Sequence, residues 1–320
     1  LLLSLTCLCS HLISVGQVKL LVKVPKIDGK YINIYNPKGD VFPEPSTEEL
    51  KAGHFYNEWV PNDHTFVKGD DGCWHMFGIT HPLTSISFER IHDGENMAFH
   101  AVSPRGSLKQ TLIAGSWKDK PKVLTPVERP GDRNEHHAPT VIKKNGLYFM
   151  IWGPKAPLRY ATSKNLYKWE YKGKLENTPD QRDPELFLWK GIYYLVTCGG
   201  NRVNLSISKD LLTWTKHESI LILKDNLDAE SPSLIRYNNT FYLIICGWNH
   251  IWDEASLDGA YQHLSYVYQS DDIFKFNPDN LVTTLDAHAP EIFQDEKGDW
   301  YISSAEWPYR GVSIAHLFWQ

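Results

Sequence analysis

The sequence contains few of the residues that define several common protein classes. It has five cysteines in 320 residues, and two of them, Cys7 and Cys9, lie in the first ten positions. The other three form no Cys-x-x-Cys pair, which argues against a thiolate metal site and against a dense disulfide framework. At most one disulfide can form among these three, and their apolar neighbours favour buried core positions.

Long apolar runs, strong charge and helical periodicity are also missing. After the first residues no stretch reaches the length that spans a bilayer, so we expect no membrane span. The formal net charge is −5 and no basic patch stands out, which argues against a nucleic-acid partner. No sustained amphipathic helix pattern occurs, so the chain is expected to be all-β.

The N-terminal segment resembles a secretory signal. Residues 1–9 are a short, largely apolar run, too brief to cross a bilayer and similar to a signal h-region. We therefore expect residues 1–16 to be a signal-like segment and the protein to be secreted or periplasmic. A buried first strand is the alternative, because no basic region precedes the apolar run.

Aromatic residues are abundant, with 12 Trp, 16 Tyr and 13 Phe, and they recur in an internal repeat. Five segments combine a short strand pattern, a turn with Gly or Asn and a second aromatic strand pattern, which is a hairpin signature. Their anchor residues recur at intervals of 75, 45, 48 and 58 residues: His64, Pro139, Pro184, Pro232 and Pro290. Four-stranded propeller blades have a period of about 40–50 residues.

Three of the repeats carry a second motif. It runs from a serine to an aromatic residue at 163–169, 208–214 and 270–276, and we interpret it as the turn between two outer strands. Four strands in each of five repeats predict an all-β, five-bladed β-propeller, formed as a single domain by residues 17–320. The long first interval predicts an insertion, and residues 18–45 are the candidate for the strand that closes the ring.

Polar residues interrupt the repeat at two adjacent positions, where first strands would line the central channel. Directly before the anchors stand Asp63, Ala138, Asp183, Ser231 and Ala289, and one residue earlier stand Asn62, His137, Arg182, Glu230 and His288. Glycoside hydrolysis needs one carboxylate as base or nucleophile, one carboxylic acid as proton donor and a third group that orients the sugar, and the candidates for these three roles are Asp63, Asp183 and Glu230. Since adjacent strand positions point to opposite faces, an irregularity must precede the proline.

Three tryptophans follow the second strands of their repeats, near the same strand ends. Trp152, Trp248 and Trp307 could therefore present a ring face to a sugar at the rim of the pocket. Packing between blades is the alternative for each of them.

The acidic motifs resemble those of five-bladed propeller glycosidases, families 43 and 32. Trp59-Val-Pro-Asn-Asp63, Arg182-Asp183-Pro184 and Glu230-Ser-Pro232 follow the order and spacing of the three acidic motifs, and the resemblance spans roughly residues 58–319. The first two motifs look like family 32, whose members act on fructofuranosides. The third, with His288-Ala-Pro290 and the segment 310–319, looks more like family 43, which acts on arabinofuranosides and xylosides. Family 43 fits better, because His64 stands where family 32 has proline.

The resemblance implies a role for each motif. Asp63 would be the base (family 43) or the nucleophile (family 32), Asp183 the orienting and pKa-tuning carboxylate, and Glu230 the general acid. The residues expected to contact substrate are Asn62, His137, Trp152, Arg182, Trp248, His288 and Arg310. No cofactor is required, while a structural calcium ion at His288 is left open.

The expected activity is release of terminal furanosyl or xylosyl-type sugars from an oligo- or polysaccharide, because a single funnel favours chain ends. A family 43 mechanism would invert, with carboxyls about 6.5–9.5 Å apart, whereas a family 32-like β-fructofuranosidase would retain, at about 5–5.5 Å. The alternatives are a non-catalytic carbohydrate-binding propeller and a protein-interaction propeller, and the three acidic motifs argue against both.

Overall fold

A computed structural model describes residues 23–83, 94–132, 135–153, 157–178, 181–224, 227–248 and 263–320. The signal-like segment expected over residues 1–16 lies outside these ranges. Within them, no helix has both the length and the apolar character needed to span a membrane.

Antiparallel four-stranded sheets form the five blades of the predicted propeller, which confirms the fold class. Blade 1 contains β4 (Trp59–Lys68), β5 (Trp74–Pro82), β6 (Ala98–Val102) and β7 (Lys118–Val123). Blade 2 contains β8 (Thr140–Lys144), β9 (Leu147–Trp152), β10 (Arg159–Ser163) and β11 (Trp169–Lys174). Blade 3 contains β12 (Arg182–Trp189), β13 (Ile192–Gly199), β14 (Arg202–Ser208) and β15 (Thr215–Ile222). Blade 4 contains β16 (Asp228–Tyr237), β17 (Thr240–Trp248), β18 (Leu264–Ser270) and β19 (Leu281–Asp286).

Blade 5 combines both ends of the described chain. It contains β20 (Ile292–Gln294), β21 (Trp300–Ala305), β22 (Val312–Trp319) and, as its outer strand, β1 (Pro25–Tyr35). β1 runs antiparallel to β22, with Pro25 opposite Trp319 and Ile32 opposite Ile314. The prediction that residues 18–45 supply the closing strand is therefore confirmed, and main-chain hydrogen bonds hold the ring shut.

The remaining elements lie in the connections around blade 1. β2 (Asp40–Val41) and β3 (Phe55–Tyr56) form a short hairpin between β1 and β4. A one-turn helix, α1 (Leu108–Thr111), and a 3₁₀ turn at Pro126–Glu128 occupy the long first interval, where the sequence predicted an insertion. The turns between β10 and β11, β14 and β15, and β18 and β19 coincide with the second motif, as predicted.

Apolar side chains from facing sheets pack between neighbouring blades. A buried cluster fills each of the five blade interfaces, and full burial of a large aliphatic or aromatic side chain contributes about 1.5–3 kcal/mol. Cys198 and Cys246 are buried and Cys73 is half-buried, and none of these three forms a disulfide. The ring of sheets thus positions the first strands around a central channel.

Candidate active site

The first strand of four blades passes through the left-handed region directly before its anchor proline. φ is 41° at Ala138, 53° at Asp183, 46° at Ser231 and 44° at Ala289. A non-glycine residue in this region costs about 1–3 kcal/mol, and such residues cluster at functional sites, where surrounding contacts hold them. The strain therefore repeats at the position where the sequence places its polar residues.

The sheet ladder is interrupted at the same position. Pairing of β12 with β13 shifts between Arg182 and Glu185, and pairing of β16 with β17 shifts between Glu230 and Ser233. This is the irregularity that the sequence required, since a regular strand would point adjacent side chains to opposite faces. Side chains from both polar positions can therefore meet in one funnel, by which we mean the channel mouth around Asp63, Asp183 and Glu230.

Asp183 is the centre of a hydrogen-bond network that joins blades 3 and 4. Its Oδ2 accepts hydrogen bonds from Nη1 of Arg182, from the Cys198 thiol at 3.2 Å and from the backbone N–H of Ser231 at 3.2 Å. Arg182 also donates from Nη2 to Oε1 of Glu230 at 2.8 Å. One guanidinium therefore sets the spacing between Asp183 and Glu230.

Asp63 joins this network from blade 1. The Ser231 hydroxyl donates a hydrogen bond to its Oδ1, so Ser231 contacts Asp183 through its backbone and Asp63 through its side chain. Burial raises the pKa of Asp63 to about 7, and the charges of Asp183 and Glu230 add to this effect. The Ser231 hydrogen bond and the Arg182 charge oppose it. The structure thus brings together the three predicted carboxylates.

Two carboxyls that the sequence reasoning missed lie beside Asp63 in the channel. Glu185 and Glu291 follow the anchor prolines of blades 3 and 5 and line a space of about 20 Å³ with Asp63, enough for one water. Burial, reinforced by Asp63, raises the pKa of Glu291 to about 8. Burial and the neighbouring Glu291 raise the pKa of Glu185 well above its usual value. The available signal was the change to glutamate directly after Pro184 and Pro290.

Two predicted substrate contacts link blades 1 and 5 across the channel. Nε2 of His288 lies 3.0 Å from Oδ1 of Asn62, and Nε2 of His64 lies 2.8 Å from the Ser303 hydroxyl. The His288 contact fixes the orientation of the Asn62 amide beside Asp63. Burial lowers the pKa of His64 to about 4, so this ring is neutral at neutral pH.

His137 contacts the carboxylate of Glu95, a residue outside the aligned repeat positions. Its Nε2 lies 2.6 Å from Oε2 of Glu95, and both side chains are buried. Glu95 belongs to the connection between β5 and β6, outside the aligned strand positions, so the repeat offered no signal for it. The pair places a carboxylate next to the polar position of blade 2.

Trp248 and Arg310 lie at the funnel end of their blades. Trp248 is half-buried and pairs with Asp228, two residues before Glu230. Arg310 is exposed in the turn between β21 and β22, with its Nε 3.8 Å from Oε2 of Glu306. Both residues therefore lie at the same end of the propeller as the three carboxylates, and their contact with substrate stays a prediction.

Trp152 lies in the packing between blades 1 and 2, which corrects its prediction as a rim residue. It is fully buried, belongs to the apolar cluster with Phe77 and Met150, and stacks on His136 at 4.5 Å between ring centroids. Neither ring face is open to a sugar, because β9 carries the side chain into the interface between the sheets.

Replacement of Trp152 tests this correction. Trp152→Ala should lower the free energy of unfolding by about 3–5 kcal/mol, because it leaves a large cavity between the blades. Urea or thermal unfolding measures the loss, and Trp152→Phe, which keeps a ring in the space, should lose less. Unchanged stability combined with a raised KM would instead place the side chain at the substrate.

The five-bladed propeller fold also occurs in solved structures of glycosidases. Three solved structures illustrate the fold. An exo-1,5-α-L-arabinanase from a bovine ruminal metagenomic library is 19% identical with a TM-score of 0.55, and the match covers 80% of this chain and 92% of that one. An α-L-arabinofuranosidase from Clostridium thermocellum is 13% identical with a TM-score of 0.56, covering 82% and 90%. Sucrose-6-phosphate hydrolase from Lactobacillus gasseri is 17% identical with a TM-score of 0.59, covering 81% of this chain but only 58% of that one.

The family comparison is more specific than these structures. The model of glycosyl hydrolases family 43 matches residues 177–318, a span that contains Asp183 and Glu230. The chain is therefore a glycosidase, and the resemblance to family 43 inferred from the acidic motifs is confirmed. A search among curated proteins finds no match.

Proposed function

We propose that the chain releases terminal furanosyl or xylosyl-type sugars from an oligo- or polysaccharide with inversion at the anomeric carbon. The observation that carries this proposal is the continuous network from Asp63 through Ser231, Asp183 and Arg182 to Glu230. It gathers a base, an orienting carboxylate and an acid from three blades around one funnel. Neither a binding module nor a protein-interaction propeller needs this arrangement.

In the proposed reaction Asp63 takes a proton from water as the water oxygen bonds to the anomeric carbon. Glu230 gives its proton to the glycosidic oxygen as the bond to the leaving group breaks. Asp183 faces the positive charge that develops on the sugar ring, held by Arg182, Cys198 and Ser231. Exchange with solvent then removes the proton from Asp63 and returns one to Glu230.

A retaining β-fructofuranosidase is the second candidate. The adjacent Asn62 and Asp63 and the Arg182-Asp183-Pro184 triplet favour it, since they are the motifs that look like family 32. In that mechanism Asp63 would bond to the anomeric carbon as the glycosidic bond breaks and Glu230 gives its proton to the departing oxygen. In a second step Glu230 would take a proton from water, whose oxygen displaces Asp63 and releases the sugar.

A substrate panel with product analysis tests the proposed function. The substrates are nitrophenyl arabinofuranoside, xyloside and galactoside, together with sucrose, and proton NMR of the first product identifies its anomer. Hydrolysis of an arabinofuranoside or xyloside with inversion is the expected result. Hydrolysis of sucrose with retention would select the second candidate, and no hydrolysis of any substrate would reject both.

We propose that the chain needs no calcium ion at His288. Its Nε2 is engaged with Asn62, and the described ranges contain no group of three or more His, Cys, Asp or Glu side chains that could hold a metal. Calcium prefers six to eight oxygen ligands. We expect EDTA to leave kcat/KM and the thermal midpoint unchanged, and a loss that added calcium restores would contradict this expectation.

Ser231 offers a direct test of the network. The base Asp63 must be ionised, so kcat/KM should fall at low pH, on what we call the acidic limb of the profile. Ser231→Ala removes the hydrogen bond that lowers the pKa of Asp63, so this limb should move to higher pH. A hydrogen bond to a charged group is worth about 1.5–3 kcal/mol, so activity below the limb should fall by roughly ten- to a hundredfold. Ser233→Ala is the matched control, because Ser233 contacts Glu185 rather than Asp63. An unmoved limb in Ser231→Ala would remove Ser231 from the network.

A further inference from the structure

A second cavity lies at the end of blade 4 opposite the funnel. It has a volume of about 460 Å³ and is bordered by the turn between β16 and β17 and the turn between β18 and β19. Glu230 lies near the start of β16 and Tyr237 at its end. At about 3.3 Å per residue the cavity is roughly 20 Å from Glu230, so it is separate from the candidate active site.

Four of the ten residues that line this blade 4 cavity carry side-chain amides. Its principal residues are Tyr237, Tyr242, Asn238, Asn239, Gln269 and Asn280. Each amide carries both hydrogen-bond donors and an acceptor, which matches a ligand whose hydroxyls also do both. The lining charges are one of each sign, Lys23 and Asp271, so the cavity has no charge excess that would select an ion.

The aromatic wall of the cavity is held in place by the protein. Tyr237 stacks on Trp319 with 4.2 Å between ring centroids and 8° between ring planes, and Trp300 meets its edge. The Tyr242 hydroxyl donates to the backbone carbonyl of Lys23 at 2.6 Å. Because these rings are already ordered, a ligand that contacts them loses little affinity to side-chain ordering.

We propose that the blade 4 cavity is a second saccharide-binding site, which holds a neutral oligosaccharide segment away from the funnel. Its volume falls within the range of about 300–1,000 Å³ that is usual for small-ligand sites. A ligand with hydroxyls can exchange hydrogen bonds with these amides, which an apolar ligand cannot do. The choice of ligand rests on the proposed function, because the occupant is taken to be part of the same polysaccharide.

Calorimetric titration with arabinotriose and with xylotriose tests the proposal. The Glu230→Gln variant, which is not expected to consume the probe, should bind two molecules of one of these trisaccharides per chain. Adding Gln269→Ala and Asn280→Ala should weaken binding of the trisaccharide in the blade 4 cavity at least tenfold and leave one molecule bound. Gln294→Ala, an exposed amide in the hairpin of blade 5, is the control and should leave both sites intact.

The variant that carries only Gln269→Ala and Asn280→Ala should hydrolyse a nitrophenyl glycoside with the same kcat/KM as the unchanged protein. If the double variant does not fold, Asn280→Trp, which fills the cavity from an exposed turn, should give the same loss of binding. The proposal would be overturned if Glu230→Gln bound one molecule or none and the two amide changes did not alter that number. Loss of binding on the amide changes in a chain that hydrolyses no glycoside would support the distal site while rejecting the proposed function.

Discussion

Glu230→Gln is expected to lower kcat/KM by about 10²- to 10⁴-fold on a glycoside with a sugar leaving group. The amide keeps the size of the side chain and a contact for Arg182, which lies 2.8 Å from Oε1, but it has no proton to give to the departing oxygen. The loss should be much smaller on a nitrophenyl glycoside, because nitrophenolate leaves without protonation. Initial rates on both substrates measure the difference.

The matched variant for this comparison is Asp63→Asn. A residue that activates water is needed whatever the leaving group, so its replacement should lower both rates by a similar factor. Equal losses for the two substrates in Glu230→Gln would contradict its role as the acid. If the loss depended on the leaving group in Asp63→Asn instead, Asp63 would be the acid and Glu230 the base.

The kcat/KM profile should show an acidic limb near pH 7. The pKa of Asp63 is raised to about 7, mainly by burial and by the charge of Asp183, and a base is active only when ionised. On the acidic side kcat/KM should therefore fall about tenfold for each pH unit below this value. A profile from pH 5 to 9 on a nitrophenyl substrate measures the limb.

The direction of the limb separates the two possible roles of Asp63. If Asp63 were the acid, activity would fall as the pH rises through 7 rather than as it falls. Full activity at pH 5 would show that the ionised base has a much lower pKa in the working enzyme. Asp63→Asn should remove the limb from the residual activity, whereas the control Ser233→Ala should keep it.

The propeller could be predicted because its repeat consists of residue types that indicate local structure. Turn residues between aromatic strand patterns define hairpins, and their spacing gave the number of blades. Ring closure was also predictable, since residues 18–45 were left without a repeat and β1 occupies 25–35. The exact strand partners depend on packing between distant segments, which local patterns do not report.

The site was predictable only where it coincides with the repeat. Asp63, Asp183 and Glu230 stand out because they replace other residues at aligned positions. Ser231 also occupies an aligned position, but its two contacts depend on a left-handed φ of 46°. A serine in a sequence does not indicate this conformation, which is uncommon for residues other than glycine. Glu95 comes from a connection without a repeat, and Trp152 follows its strand as Trp248 does but is carried into the core.

Within the described residues, β1 pairs with β22 in the sheet of blade 5, so the first strand of the propeller can pair only after the last strand has been synthesised. Blades 1 to 4 consist of consecutive strands and can form as the ribosome delivers them. The contacts of Asn62 with His288 and of His64 with Ser303 join blade 1 to blade 5, so they also come late. The nascent chain therefore carries its candidate base on blade 1 before blade 5 has formed, and the reaction centre is complete only when β1 and β22 pair.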